Sequence, residues 1–173
     1  MTIAKGITSG YQPLGGAMVS DRVADVLIEK GGDFNHGFTW SGHPVACAVA
    51  IENLAIMRRE RIVENAEAKI APYLQKRWRE LADHPLVGEV RGVGMLGSLE
   101  LVAHKPSRTF FRNRGDTGRV CRDHSFANGL VMRAVRDTMI IAPPLVIERA
   151  QVDELVEKAR RCLDLTARDV GLG

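Results

Sequence analysis

Aromatic side chains are scarce, at 5% of the 173 residues. A core built from this chain must therefore rest on Val, Leu, Ile, Ala and Met. An excess of one charge is lacking too: 24 Lys and Arg stand against 21 Asp and Glu, a net charge of +3. That is too mild for a nucleic-acid footprint. No apolar run approaches the roughly 20 residues of a membrane span. The N-terminus has no basic segment followed by an apolar one, so no signal peptide is expected. Three cysteines, Cys47, Cys121 and Cys162, are odd in number and far apart. None pairs at metal-ligand spacing, which excludes a disulfide scaffold and points to reduced, cytoplasmic thiols. What is present, 45% hydrophobic and 26% charged residues, is the profile of a globular protein with room for a real core.

Along the chain, "MTIA" and "GGAMVS" are short apolar runs around a Gly/Pro turn. Val23, Val26 and Leu27 recur at helical spacing in "DRVADVLIE", with Ser20 or Asp21 as its cap. A loop, "KGGDFNHGFTWSGHP", precedes a helix starting near His43 or Pro44. The first part of that helix, "PVACAVAIENLAIM", is so apolar that burial on most sides is expected. Its continuation carries a stripe of Ile62, Ala66, Ile70, Leu74, Trp78 and Leu81, with Pro72 predicting a kink or break near residues 68–71. The texture changes at His84-Pro85. Glycine-interrupted strands follow in "LVGEVRGVGMLGSLELV", then a helix closed by Asn128-Gly129. "LVMRAV" and "TMIIAPPLVI" read as a hairpin around Arg136-Asp137, and the 3.6-residue period of Val152, Leu155, Val156, Ala159 and Leu163 predicts a closing amphipathic helix. The pattern is a βαα segment followed by an α/β unit, divided near residues 83–86.

Three places could carry chemistry. Lys5, in "IAKGITSGY", sits between apolar residues and glycines. Burial or a neighbouring charge would make its amine a nucleophile toward carbonyls, while the plainer reading is a surface lysine at a strand end. The loop "HGFTWSGHP" places Thr39 and Ser41 before a helix start with Pro44 in its first turn. That suits either anion binding or an ordinary cap by Ser41. Arg133 lies in an otherwise apolar strand, where it meets a carboxylate or phosphate or points outward from an edge. The alternation Val131, Arg133, Val135 does not decide between them. His36 and His43 read as structural polar groups, Cys47 and Cys162 as core, and Cys121 as partly exposed.

The four stretches "MTIAKGITSGYQPLGGAMVSDRVADVL", "HGFTWSGHPVACAVAIENL", "RGVGMLGSLELV" and "NGLVMRAVRDTMIIAPPLVI" occur in this order and cover essentially the whole chain. Together they resemble the C-terminal part of the class III pyridoxal-phosphate-dependent aminotransferases, within the omega-amino-acid or amine:pyruvate subgroup. The resemblance implies an α/β, fold-type I transferase. Residues 1–83 would be the end of the large cofactor-binding domain with the interdomain helix, and residues 84–173 the small C-terminal α/β domain.

It also implies roles. Lys5 is the lysine that joins the pyridoxal phosphate. Thr39, with the backbone of Phe38, binds the phosphate of the neighbouring subunit, and Trp40 stands where many members carry tyrosine. Arg133 pairs with the substrate carboxylate and swings aside for plain amines. The implied partners are an amine donor and a keto-acid acceptor, in a homodimer, with no metal, nucleic acid or membrane. The aromatic residue that stacks on the cofactor ring and the aspartate that pairs with its nitrogen belong to a region that precedes the lysine in complete members. The expectation is therefore a truncated chain with Met1 an internal methionine, inactive alone and poorly soluble or oligomeric. A mutase or decarboxylase of the same fold shares the lysine, and a non-catalytic interaction fragment is the alternative from another class.

Overall fold

The computed structural model describes residues 1–172. It divides into two compact units, Met1–Arg61 and Ile62–Gly173.

In the first unit, β1 (Thr2–Ile3) pairs antiparallel with β2 (Gly16–Ala17). Between them a 3-10 turn spans Lys5–Thr8. Helix α1 is Asp21–Lys30, preceded by Ser20, whose side chain makes no capping bond. Helix α2 is Pro44–Arg59, with proline in its first turn, where the missing N–H costs nothing. The expected burial of α2 on most sides is not what forms: only Ala46 and Ala50 are buried, and Val45, Ile51 and Leu54 are exposed. An apolar composition drives burial only where another layer is present to receive it. Within this unit the small Ala46 and Ala50 faces are the ones that find cover.

The second unit opens with α3 (Ile62–Asn65), a π turn (Ala66–Ile70), α4 (Ala71–Arg79) and a 3-10 turn (Glu80–Asp83). Where a kink or break was expected near residues 68–71, the helical run continues through this π turn, which has a physical cause. Pro72 has no N–H to donate four residues back, and the turn before it widens so that Ala71 N–H reaches Ala66. Strands β3 (Val87–Val93), β4 (Leu96–Leu101), β5 (Arg133–Val135) and β6 (Thr138–Ile141) form an antiparallel sheet in the order β3-β4-β6-β5. Helix α5 is Asp116–Ala127, ended by Asn128 and a left-handed Gly129 as its sequence predicts. Helix α6 is Arg149–Asp169, where Gln151 Oε1 accepts the Glu148 N–H at 2.9 Å.

The texture changes at residue 84, but the packing boundary lies at 61/62. Leu74, Trp78 and Leu81 enter one core with Leu99, Leu101, Met132, Met139, Val152 and Leu163. Residues 62–83 are thereby bound to the sheet that follows them. Cys121 lies in the same core and is fully buried rather than partly exposed, and loss of solvation pushes its thiol up to about 11. Cys162 is buried as expected, while Cys47 is half-buried. The turn between β5 and β6 is held by Asp137, whose buried carboxylate accepts the N–H groups of Gly115 at 2.9 Å and Gly118 at 3.0 Å. Gly118 is required there, because a Cβ would stand 1.9 Å from the Arg136 carbonyl oxygen. None of the described helices is long and apolar enough to cross a membrane.

Candidate functional site

Lys5 begins the 3-10 turn in the left-handed region, with φ 55°. Ser9 closes the turn at φ 50°, and Gly10 follows at φ 80°. Two non-glycine residues at positive φ within five positions mark a segment that its surroundings hold in place. The turn's own bonds run from Ser9 N–H to Gly6 O at 3.1 Å and from Tyr11 N–H to Thr8 O at 3.1 Å. The buried Thr8 hydroxyl donates to Gln12 O at 2.6 Å. These bonds fold residues 4–15 around an open concavity of about 690 Å³, lined by Lys5, Thr8, Gln12 and Leu14 among others. The Lys5 side chain is exposed on its rim.

One residue that sequence reasoning missed reaches this turn from α2. Asn53 Nδ2 donates to Gly6 O and to Ile7 O, each at 3.1 Å. The signal was a polar side chain interrupting the apolar run "PVACAVAIENL".

The loop before α2 is organised differently from the ordinary Ser41 cap that was one of its two readings. Ser41 Oγ accepts the Phe38 N–H at 2.9 Å, and the cap of α2 is His43, whose Nδ1 accepts the Ala46 N–H at 3.5 Å. Gly42, at φ 68°, turns the chain between them. The Phe38 N–H is therefore already engaged, and the Phe38 ring is 80% exposed. Thr39 is exposed, with its hydroxyl open to a ligand. His36 stands between the rings of Phe34 and Phe38, at 5.9 and 6.2 Å, which is a structural role.

Arg133 belongs to the second unit. Register settles what alternation left open. Leu130, Met132 and Met139 face the core, so Val131, Arg133 and Val135 face outward on an edge strand. Arg133 lies opposite Ile140, Ile140 opposite Ser98, and Ser98 opposite Arg91. The two arginines end one row across the outer face of the sheet. Arg91 is neutralised there by Glu89 at 3.1 Å and Glu100 at 3.5 Å. Among the described residues no carboxylate pairs with Arg133, so its guanidinium is open to one from outside.

Two separate places in the chain each suit one end of a pyridoxal phosphate molecule. A primary amine on the rim of a concavity suits its carbonyl, and the Thr39 hydroxyl beside a helix N-terminus suits its phosphate.

A fold with these sequence blocks places the chain in a known class. The aminotransferase class-III family model matches residues 1–163, and the chain belongs to that family. Enzymes of this family depend on pyridoxal phosphate. The chain is 62% identical over 170 residues to a putrescine–pyruvate aminotransferase of Pseudomonas aeruginosa, covering 98% of this chain and 37% of that protein. It is 42% identical to a diaminobutyrate–2-oxoglutarate transaminase of Halomonas elongata, covering 95% and 36%. Its fold superposes on a transaminase from the marine bacterium Virgibacillus with TM-score 0.92 and 38% identity, over 98% of this chain and 40% of that one. The chain thus spans a little over a third of the length of the relatives it matches.

Proposed function

We propose that this chain supplies the reactive lysine, part of the phosphate hold and the carboxylate-binding arginine of an enzyme that transfers an amino group from an amine or omega-amino acid to a keto acid such as pyruvate. The observation that carries the reading is the match over residues 1–163 together with the likeness to a putrescine–pyruvate enzyme. That likeness favours a diamine as donor. Residues 1–83 are read as the end of the cofactor-binding domain with its interdomain helix, and residues 84–173 as the small domain. The complete enzyme is read as a cytoplasmic homodimer.

The cofactor, when bound, supplies an electron sink for the pair left on the donor carbon. The rest falls to side chains. Lys5 Nζ would take the proton from the amine-bearing carbon of the donor as base and deliver it, as acid, to the carbon that bore the cofactor's aldehyde. The Thr39 hydroxyl would donate to the phosphate of the neighbouring subunit's cofactor, and the Phe38 N–H can join it only by leaving Ser41. Arg133 holds the keto acid's carboxylate through two parallel N–H bonds.

Reduction with borohydride in the presence of pyridoxal phosphate, followed by peptide mapping, should place the label on Lys5; a label confined to other lysines rejects the reading. Arg133→Ala in the active enzyme should weaken pyruvate use about ten- to a hundredfold, as expected for losing a bond to a charged group worth roughly 1.5–3 kcal/mol. Use of a plain aldehyde acceptor should change much less. Equal losses would make Arg133 a structural residue.

A further inference from the structure

We propose that Asn53 is a positioning residue for Lys5, tying the turn that carries the lysine to helix α2; this rests on the reading of Lys5 given above. The stripe of α2 that faces the turn is Ala46, Ala50 and Asn53, at helical spacing. The two alanines are the only buried side chains of the helix, and their size lets the turn approach. Asn53 Nδ2 then donates to the carbonyls of Gly6 and Ile7, each at 3.1 Å, with the Met57 sulfur a weaker third acceptor at 3.8 Å. These are the two residues directly after Lys5.

The bonds act where the backbone needs them. Lys5 and Ser9 both hold positive φ, and the turn has only four residues. Its internal bond from Ile7 N–H to Ala4 O is long, at 3.4 Å. Released from α2, Lys5 would relax toward the ordinary negative-φ regions and carry its amine away from the concavity it lines. The site needs a donor with two hydrogens. Aspartate has the same shape but only acceptors, and it would set a carboxylate oxygen against two carbonyl oxygens.

The test compares the full chain with Asn53→Ala and Asn53→Asp. One arm measures hydrogen exchange at the Ser9 and Tyr11 amides. The other measures labelling by pyridoxal phosphate and borohydride as the ratio of Lys5 to the exposed Lys30. Both variants should speed exchange at Ser9 at least tenfold and lower the Lys5:Lys30 ratio at least threefold, leaving the rest of α2 protected. The ratio is insensitive to general loosening, which would raise labelling at both lysines. Wild-type exchange and ratio in Asn53→Asp overturn the proposal, as does faster exchange spread evenly over α1 and α2 with the ratio unchanged. If Asn53→Ala does not fold, Asn53→Ser, which keeps one donor, decides by an intermediate ratio for the proposal or a wild-type ratio against it. A wild-type label absent from Lys5 would reject the reading of the lysine instead, while the exchange arm still decides whether Asn53 holds the turn.

Discussion

Residues 1–61 and 62–172 draw on similar side chains and treat them in opposite ways. The first region buries only Thr8, Ala46 and Ala50, and leaves Val26, Ile28, Phe34, Trp40 and Ile51 exposed. The second buries a continuous core around Trp78, Leu99, Met139 and Leu163. The lysine motif and the glycine-rich loop sit in the region that has little core of its own. Non-glycine residues at positive φ occur in both regions, among them Lys5 and Ser9 in the first and Arg108 and Arg136 in the second, but the turn of Lys5 has little buried packing beyond Thr8 to hold it. The second region covers its own apolar side chains, whereas the first leaves most of its apolar side chains uncovered. In the proposed reading, the covering layer belongs to the part of the relatives' length that this chain does not span.

The comparison breaks first, and by the largest margin, at Trp78. Its side chain is fully buried and packs against Gly97, where a Cβ would come within 2.7 Å of the indole nitrogen. The indole N–H reaches Ser98 O at 3.4 Å. Trp78→Ala should cost about 3–5 kcal/mol, by lost burial and the cavity left behind. Denaturant unfolding followed by far-ultraviolet circular dichroism measures it. A loss under about 1 kcal/mol would mean that the second region lacks the core described.

A smaller effect sharpens the same contrast through pH. His84 is buried at the start of the second region's sheet, and loss of solvation lowers its pKa from the ordinary value, against the opposing pull of Asp164 at 3.2 Å. Its Nδ1 accepts the Leu86 N–H at 3.1 Å, a bond that a proton there would break. The unfolded chain therefore binds this proton more readily than the folded one. The contribution of His84 is complete above its unfolded pKa near 6.5 and is lost as pH falls from there through the lower folded value. One proton bounds the slope at about 1.4 kcal/mol per pH unit. Unfolding midpoints between pH 7 and pH 5 should fall, and His84→Gln should flatten that part of the profile. A flat wild-type profile would place His84 outside the cooperative core.

The division also governs what could be read from the sequence. The second region's strands, the hairpin around Arg136-Asp137, an irregularity before Pro72, the Asn128-Gly129 stop and the closing helix were all legible. Each follows from local chemistry: proline's missing donor, glycine's positive φ, or a period matched to one covered face. Where reading failed, the answer depended on distant partners. Apolar α2 looked buried because composition does not say what lies against it. Cys121 looked half-exposed because its helix is polar on average, yet its own position faces the core. A Ser41 cap was one of two open readings, but the loop spends its hydroxyl on Phe38 and leaves the cap to His43. Lys5 could be singled out by its motif alone, whereas the outward face of Arg133 required the register with Ile140. Asn53 was hidden because its partners stand 46 and 47 residues away in the chain.

The smallest effect is the most discriminating, because it is expected to be nearly nothing. Ile28 is 80% exposed on α1, as apolar as any core residue but in contact mainly with water. Ile28→Ser in this chain should change unfolding stability by no more than about 0.5 kcal/mol, the range of ordinary surface substitutions. Leu74→Ser, into the second region's core, should behave like Trp78→Ala. The two measurements use the same assay and the same polar replacement, so only burial differs between them. Removing Ile28 should also reduce self-association in sedimentation, since an exposed apolar face drives association roughly in proportion to its area, at about 25 cal/mol per Å². In the complete enzyme, where the proposed reading puts a layer over α1, the same substitution should become costly. A large loss in this chain alone would show that α1 is already covered, and that the first region has a core of its own.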